Sequence, residues 1–455
     1  MYQFLKLVFT YILPFFLLLN FWVLPAQSEF LLDDKVSEKI HFEFTSNLII
    51  IPLEINSVEL SFVLDTGVNK PILFNLLESD LLSLKDTETF FLHGLGGDGK
   101  IEALKSSHNE FKIGNAINTD QDLFVVFDKT INFTPRLGIL VHGIIGYDVF
   151  KNFVVEINYN AKYIRLHKPE YFKPKTSKKC KTLPLNLYRG KAYIDGEVNI
   201  NDAEKHVKLL IDTGSSDALW LFEDESEGFS PNKSMFFVDY LGKGLSGSVY
   251  GKRSKVNNFE LGDFNMENVN VAFPDSVSID LTKTFKGRNG SLGGDILKRF
   301  NLFFDYTNEK LHLKKNSFYK ASFTYNNSGI VLEYNGNMFV EEQIKLPNSS
   351  NFTNSKRMDA VQINQSFNYI MTLKPVYEIV EIRTSSNAYK AGLRNGDVLL
   401  TINSKAAYNY KLQEISEILH GKTGKTIRVK IGRKGEDMVF KFKLDDVFKT
   451  NEPSN

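Results

Sequence analysis

Two apolar, partly alternating runs, Asn47 to Ile55 and Ser57 to Leu64, meet near Asn56 and predict a β-hairpin. The same pattern returns at Ala192 to Ile200 and Val207 to Ile211. A glycine cluster follows each pair, at Gly94 to Gly99 and at Gly242 to Gly251, and suits the tip of a further hairpin. After Gly146 and Gly293 the spacing of Val149, Phe150 and Phe153, and of Ile296, Leu297 and Phe300, predicts a short helix with one buried stripe. Asp148 and Asp295 fall where N-caps would sit. Near the C-terminus, Leu412, Ile415, Ile418 and Leu419 mark one apolar helix face closed by Gly421. Val398 to Ile402, Thr426 to Ile431 and Met438 to Leu444 read as strands, the last two turned around Gly435.

The first two thirds of the chain are an internal repeat. Asp65 and Asp212 stand 147 positions apart, and so do Gly146 and Gly293 within the matching segments 143–153 and 290–300. The tails agree as well, Asn158-Tyr159 with Asp305-Tyr306 and Ile164-Arg165-Leu166 with Leu311-His312-Leu313. Two copies of one mostly β unit are expected at about 39–170 and 180–317, joined by the Lys- and Pro-bearing stretch Lys168 to Pro184. A third domain is expected at 321–446.

Each copy ends an apolar run with Asp-Thr-Gly: Asp65-Thr66-Gly67 after Phe62-Val63-Leu64, and Asp212-Thr213-Gly214 after Leu209-Leu210-Ile211. Amide hydrolysis needs a base to take a proton from water and an acid to protonate the leaving nitrogen. Two carboxyls in contact supply both, because they cannot comfortably ionise together and hold one proton as a coupled pair. The glycines allow a sharp turn and a close approach of the partner loop. The threonine hydroxyls can bond across to the opposite loop.

Asp212-Thr213-Gly214-Ser215-Ser216-Asp217-Ala218-Leu219-Trp220 resembles the active-site loop of pepsin-type aspartic peptidases. Leu292 to Phe300, followed by Phe304-Asp305-Tyr306, resembles the apolar-apolar-Gly segment and closing strand of that fold. The copies are shorter than pepsin lobes and somewhat longer than retropepsin subunits, and the best resemblance is to the bacterial retropepsin-like class with two fused copies. Over about 39–317 the resemblance implies two β-barrel lobes with Asp65 and Asp212 catalytic at their junction. It also implies a water between them and an extended polypeptide across the cleft under one or two glycine-rich flaps. Thr66, Gly67, Thr213, Gly214, Ser215, Gly146 and Gly293 would support the pair. Pepsin-type loops carry Ser or Thr after Asp-Thr-Gly. Ser215 fits and Val68 does not, which leads us to expect a less acidic dyad and a mildly acidic optimum.

Asn387 to Asn403 contains Ala391-Gly392-Leu393-Arg394-Asn395-Gly396-Asp397 and resembles the Ala-Gly-Leu-x-x-Gly-Asp signature of PDZ domains. The family adds a peptide as an extra strand and captures its terminal carboxylate on backbone N–H groups. The loop for that task is expected at Ser328, Gly329, Ile330 and Val331, with Ser366-Phe367-Asn368-Tyr369 as the other choice. With the first choice, the polar stretch Pro347 to Lys356 becomes an insertion within the domain. A folded spacer without ligand is the alternative for this domain.

The fold class expected is therefore mainly β: two pepsin- or retropepsin-like lobes, then a PDZ domain. The 455 residues suit about three domains, and 42% apolar content suits packed cores. With 55 basic and 54 acidic residues, nothing calls for nucleic acid or an anionic membrane as partner. The N-terminus has one charge, Lys6, then Leu7 to Leu24 nearly all apolar, then Ala26-Gln27-Ser28, which fits a signal peptide of residues 1–28 cleaved before Glu29. An uncleaved anchor is the rival reading. Either exports the body, and a bacterial periplasmic or surface protein is the expected origin. Cys180 is the single cysteine, so no internal disulfide exists. No cluster with metal-ligand spacing stands out and no cofactor is expected. Two copies in one chain make a monomer the expected state. The expected function is an exported aspartic endopeptidase that recruits polypeptide through its PDZ domain. The alternative is a non-catalytic peptide-binding protein on the same scaffold.

Overall fold

The computed structural model describes residues 28–76, 81–93, 100–128, 131–174, 179–244, 247–276, 285, 287–345 and 367–448. The apolar segment Leu7 to Leu24, the glycine cluster 94–99 and the stretch Pro347 to Lys356 lie outside the described residues.

In the first unit β1 (Ser37–His41) and β2 (Glu43–Thr45) precede the hairpin β3 (Leu48–Ile55) and β4 (Val58–Leu64). Asn56 and Ser57 turn that hairpin at φ 46° and 69°, the left-handed pair that matches strand twist. β5 (Ile72–Leu73), β6 (Thr87–His93), β7 (Lys100–Ile113) and β8 (Ala116–Val125) follow. Helix α1 (Thr134–Leu137), β9 (Gly143–Ile145), helix α2 (Tyr147–Phe150), β10 (Val154–Asn158) and β11 (Tyr163–His167) complete the unit.

The second unit repeats this order. It has β12 (Cys180–Pro184), β13 (Asn186–Tyr188), the hairpin β14 (Lys191–Ile200) and β15 (Ala203–Ile211), and β16 (Leu219–Leu221). β17 (Phe236–Gly244), β18 (Gly247–Leu261), β19 (Phe264–Pro274), β20 (Gly290–Leu292), helix α3 (Gly294–Leu297), β21 (Phe300–Asp305) and β22 (Lys310–Lys315) follow. Asn201 and Asp202 make the same left-handed turn, so β15 begins at Ala203, four residues before its apolar run.

Two eight-stranded sheets result, β2-β3-β4-β9-β5-β8-β7-β6 and β13-β14-β15-β20-β16-β19-β18-β17, with each strand in the place of its repeat counterpart. A six-stranded sheet, β1-β11-β10-β21-β22-β12, is built from both units. At its middle β10 meets β21 antiparallel, with Glu156 opposite Phe303. These two residues are themselves 147 positions apart, so a local twofold axis passes through that pair.

One core serves both units. Phe62, Leu64 and Phe150 from the first meet Leu209, Ile211, Phe300 and Phe304 from the second. Strand alternation then sends Leu48, Ile50 and Val63 to the opposite face of the first sheet, into a smaller apolar cluster with Phe124, Ile144 and Leu92. The short helices differ from expectation in one respect. Gly146 and Gly293 are the N-caps, and Asp148 and Asp295 lie two residues on, in the first turn, pairing with Lys151 (2.9 Å) and Lys298 (2.7 Å). There the carboxylates act on the helix N-terminus by charge and leave the cap position to glycine.

The C-terminal unit has its own core around Ile379, Ile402, Ile415 and Ile431. Its strands are β23 (Ile330–Lys345), β24 (Phe367–Ile382), β25 (Val398–Ile402), β26 (Lys405–Ala406), β27 (Thr426–Arg433) and β28 (Glu436–Lys443). Helices α4 (Asn387–Lys390) and α5 (Leu412–Leu419) complete it. The order is β23-β24-β25-β27-β28, with β26 on β25, so β23 is an edge strand. The strand expected over Val331 to Tyr334 continues to Lys345 as a long two-stranded ribbon with β24, interrupted by two register shifts.

The first unit reaches this domain through α1, which packs on β23. Arg136 pairs with Glu333 (3.1 Å) and Glu381 (3.9 Å), and its guanidinium lies 4.6 Å from the ring centre of Tyr240 in β17. Gly138, at φ 67°, ends α1 so close to α5 that a Cβ there would lie 2.7 Å from Cβ of Leu412.

Candidate active site

Asp65 and Asp212 leave the ends of β4 and β15, and their backbone N–H groups donate to Ile145 (2.8 Å) and Leu292 (2.9 Å) in β9 and β20. The chain then turns. Gly67 donates to Oδ1 of Asp65 (2.6 Å) and Gly214 to Oδ1 of Asp212 (3.0 Å). Each glycine also lies across from the other unit's aspartate. A Cβ at Gly214 would fall 2.4 Å from Cγ of Asp65, and one at Gly67 would fall 3.3 Å from Oδ1 of Asp212. The approach of the two loops leaves no room there for a side chain.

The threonines fix this approach. Thr66 Oγ1 donates to the Ile211 carbonyl (2.7 Å) and accepts from Thr213 N–H (3.1 Å). Thr213 Oγ1 donates to the Leu64 carbonyl (2.7 Å) and accepts from Thr66 N–H (3.0 Å). Both threonines are buried. Gly146 backs the first loop, where a Cβ would lie 1.9 Å from the Asp65 carbonyl oxygen, and Gly293 backs the second against Asp217. Val68 and Ser215 play equivalent backbone parts, donating to the Asp65 and Asp212 carbonyls at 3.3 Å and accepting from Tyr147 and Gly294. Every predicted support residue of the two repeated units therefore lies in one cluster around the two carboxyls.

Burial raises the Asp65 carboxyl to about 7, helped by the negative charge of Asp212, against the pull of the Gly67 N–H and the Lys191 ammonium. Burial raises Asp212 as well, opposed by Arg288, Lys191, the Gly214 N–H and the hydrogen bond with Asp65. The two form one hydrogen-bonded pair that holds a proton where isolated carboxyls would have lost it.

Sequence reasoning missed both cations. Lys191 opens β14, and burial lowers its ammonium against the pull of Asp65. Arg288 donates through Nε to the Gly290 carbonyl (3.0 Å) and through Nη2 to Oγ of Ser291 (2.7 Å), with its guanidinium over the Phe222 ring. The signal that would have found Arg288 is the repeat itself, since Val141 stands 147 positions before it.

The glycine-bearing hairpin of the second unit, β17–β18, is tied to the dyad loop. Arg253 pairs with Asp217 and Asp239 (2.9 Å each), and Asp217 also accepts from Nε1 of Trp220 (2.6 Å). Tyr240 and Tyr250 face each other across it, edge to face at 5.5 Å.

At the C-terminal unit, Gly329 has φ 71° and a Cβ there would press on Ser386. Ser328 and Gly329 donate their N–H groups to Oδ1 of Asn326 (3.1 and 3.2 Å), and Ile330 donates to Oγ of Ser328 (3.1 Å). Val331 pairs with Glu381 in β24. The alternative segment lies elsewhere: Phe367 to Tyr369 begin β24, opposite 343–345, far along the ribbon from Gly329, and Ser366 lies outside the described residues.

Residues 51–149 and 196–296 match the aspartyl protease family model, and residues 378–433 match the PDZ domain model. Among solved structures the chain is similar to the aspartic proteinase from Irpex lacteus, at 13% identity over 63% of this chain and 99% of that one, with a TM-score of 0.39. A search of curated proteins finds no match. The chain thus carries an aspartyl protease domain in two segments and, after it, a PDZ domain.

Proposed function

We propose that this protein is an aspartic endopeptidase in which Asp65 and Asp212 together activate water. The observation that carries the reading is the half-buried carboxyl pair, locked by the reciprocal bonds of two buried threonines and holding a proton at near-neutral pH. The ionised carboxyl takes a proton from water as the oxygen attacks the scissile carbonyl carbon. The protonated carboxyl hydrogen-bonds the carbonyl oxygen and then supplies the proton that the departing nitrogen needs. The PDZ domain contributes an edge strand, β23, beside α5, a setting suited to a peptide strand or chain end that competes with α1, which packs on β23 and abuts Leu412. The apolar segment Leu7 to Leu24 supports export, testable by fractionation and N-terminal sequencing for a start at Glu29.

The test is to make Asp65→Asn and Asp212→Asn separately and measure cleavage of a denatured protein mixture from pH 3 to 8. Each change should lower the rate by about 10³-fold or more. A wild type that cuts at no pH overturns the enzyme reading in favour of a peptide-binding protein. Full activity in either variant overturns the single-chain dyad.

A further inference from the structure

The two units share a fold, but they present opposite chemistry to the dyad. Strand register fixes which positions correspond. Ile50 faces Val63 across the first hairpin and Tyr193 faces Leu210 across the second. Val63 lies beside Ile144, and Leu210 lies beside Ser291. Ile72 lies between Ile144 and Phe124, as Trp220 lies between Ser291 and Ala272. The strands open at Leu48 opposite Thr45 in one unit and at Lys191 opposite Tyr188 in the other.

In the first unit this face is filled. Leu48, Ile50, Phe124 and Ile144 pack in one apolar cluster with Val68 of the dyad loop and Val141. In the second unit Ala272 replaces Phe124, Ser291 replaces Ile144, Lys191 replaces Leu48 and Arg288 stands where Val141 would. Phe124 and Ile144 give way to small side chains and Leu48 and Val141 to cations, of which Lys191 acts on Asp65 and Asp212 and Arg288 on Asp212, while the larger Tyr193 and Trp220 stand for Ile50 and Ile72. Arg288 is held in place by Ser291, one of the small replacements. Lys191 is partly buried, and among the described residues its ammonium makes no hydrogen bond or ion pair. The ammonium feels the negative charge of Asp65 and Asp212 and keeps its donors for a further acceptor.

We infer that the part of the cleft built by the second unit takes an acidic side chain of the substrate next to the scissile bond, selected by Lys191 and positioned Arg288. The inference rests on the peptidase reading and names its substrate class. In the first unit the positions matching Lys191 and Arg288 are the apolar Leu48 and Val141. A substrate carboxylate would lie beside Lys191 as a charge-assisted pair, and its neutral isostere would forfeit the charge that strengthens that hydrogen bond.

The test uses the full-length protein and peptide pairs that differ only as Glu or Gln at the residues flanking the cut. It compares kcat/KM at one pH, so that titration of the dyad cancels within each pair. Wild type should prefer Glu on one side of the bond by tenfold or more. Lys191→Met should bring the ratio near one, Lys191→Arg should keep it, and Lys191→Glu should turn it toward a Lys-bearing peptide. Binding of the same pairs with a reduced, uncleavable peptide bond gives a readout independent of turnover. Cleavage without Glu preference, or a preference unchanged in both Lys191→Met and Arg288→Met, overturns the acidic subsite and leaves the peptidase reading intact. Tighter binding of the uncleavable Glu peptide, lost in Lys191→Met, by a protein that cuts nothing, supports the subsite and removes the peptidase reading. Equal binding of Glu and Gln peptides by such a protein overturns both.

Discussion

Thr66 and Thr213 each accept the other's backbone N–H and donate to a carbonyl in the other's unit. The four bonds form a closed, buried set in which neither loop can move alone. Thr66→Val or Thr213→Val keeps the shape but leaves a buried N–H and a buried carbonyl without partners. We expect about 2–4 kcal/mol lost in urea unfolding, and kcat lower by about 10²-fold with a smaller change in KM. Because the bonds form one unit, the double variant should cost less than the sum of the singles. Thr→Ser, which restores the hydroxyl, should recover most of both.

The dyad predicts an opposite pH dependence for stability and for the usual acid lability of proteins. The folded state keeps a proton on Asp65 up to about 7, whereas an unfolded aspartate loses it near 4. This group's contribution is therefore fully present below about pH 4 and is lost as pH rises through about 7. Asp65→Asn carries no such proton, so the difference in Tm should move in the variant's favour between pH 4 and 8. A constant difference would contradict the proton-sharing pair. Turnover needs the shared proton too, so kcat/KM of the wild type should fall above about pH 7.

Arg299 is 1% exposed and clamps the chain on its way from the peptidase domain to the PDZ domain. It donates to the carbonyls of Asp295 (2.9 Å), Phe318, Tyr319 and Ala321, and its guanidinium lies 3.5 Å from the Phe323 ring centre. Arg299→Met should lower stability by about 2–4 kcal/mol and open 316–323 to limited proteolysis. Arg299→Lys should not rescue it, because an ammonium cannot address several carbonyls and stack at once.

Arg136 should govern how firmly the first unit holds the PDZ edge. Its pairs with Glu333 and Glu381 are partly solvated, so Arg136→Ala is expected to cost about 1 kcal/mol or less in overall stability. Locally the effect should be larger. Amide exchange at Leu332 to Tyr334 and across α1 should quicken severalfold in the variant, and high salt should quicken it in the wild type and narrow the difference, while β27 stays protected. Unchanged exchange along β23 would mean that α1 rests there without holding it.

Much of this architecture is legible in the sequence because the hairpins announce themselves. Asn56-Ser57 and Asn201-Asp202 sit between alternating runs, and the 147-residue offset places their strands in one sheet order twice. Asp-Thr-Gly after three apolar residues marks both dyad positions. What stays hidden depends on contacts between distant segments. The shared six-stranded sheet takes β1 and β12 from outside the repeated motifs. Lys191 escapes notice because its counterpart, Leu48, is 143 positions away and only the paired strands reveal the match. The cap role of Gly146 is hidden because Asp148 has the composition of a cap without the backbone geometry of one. The Asn326 bonds to the PDZ loop need the folded turn to exist.

The twofold axis through Glu156 and Phe303 carries a consequence for how a polypeptide can be read. A cleft with that symmetry in full would accept a chain running from N to C or from C to N equally well. A polypeptide has no such symmetry, so a perfectly paired cleft would spend half its encounters with the chain laid backwards. The exchange of Phe124 for Ala272 and of Leu48 for Lys191 makes the two halves unequal. Each 1.4 kcal/mol of that inequality gives about tenfold bias toward one direction of threading. Fusing the two copies in one chain lets them diverge separately, and divergence gives the cleft a sense of direction.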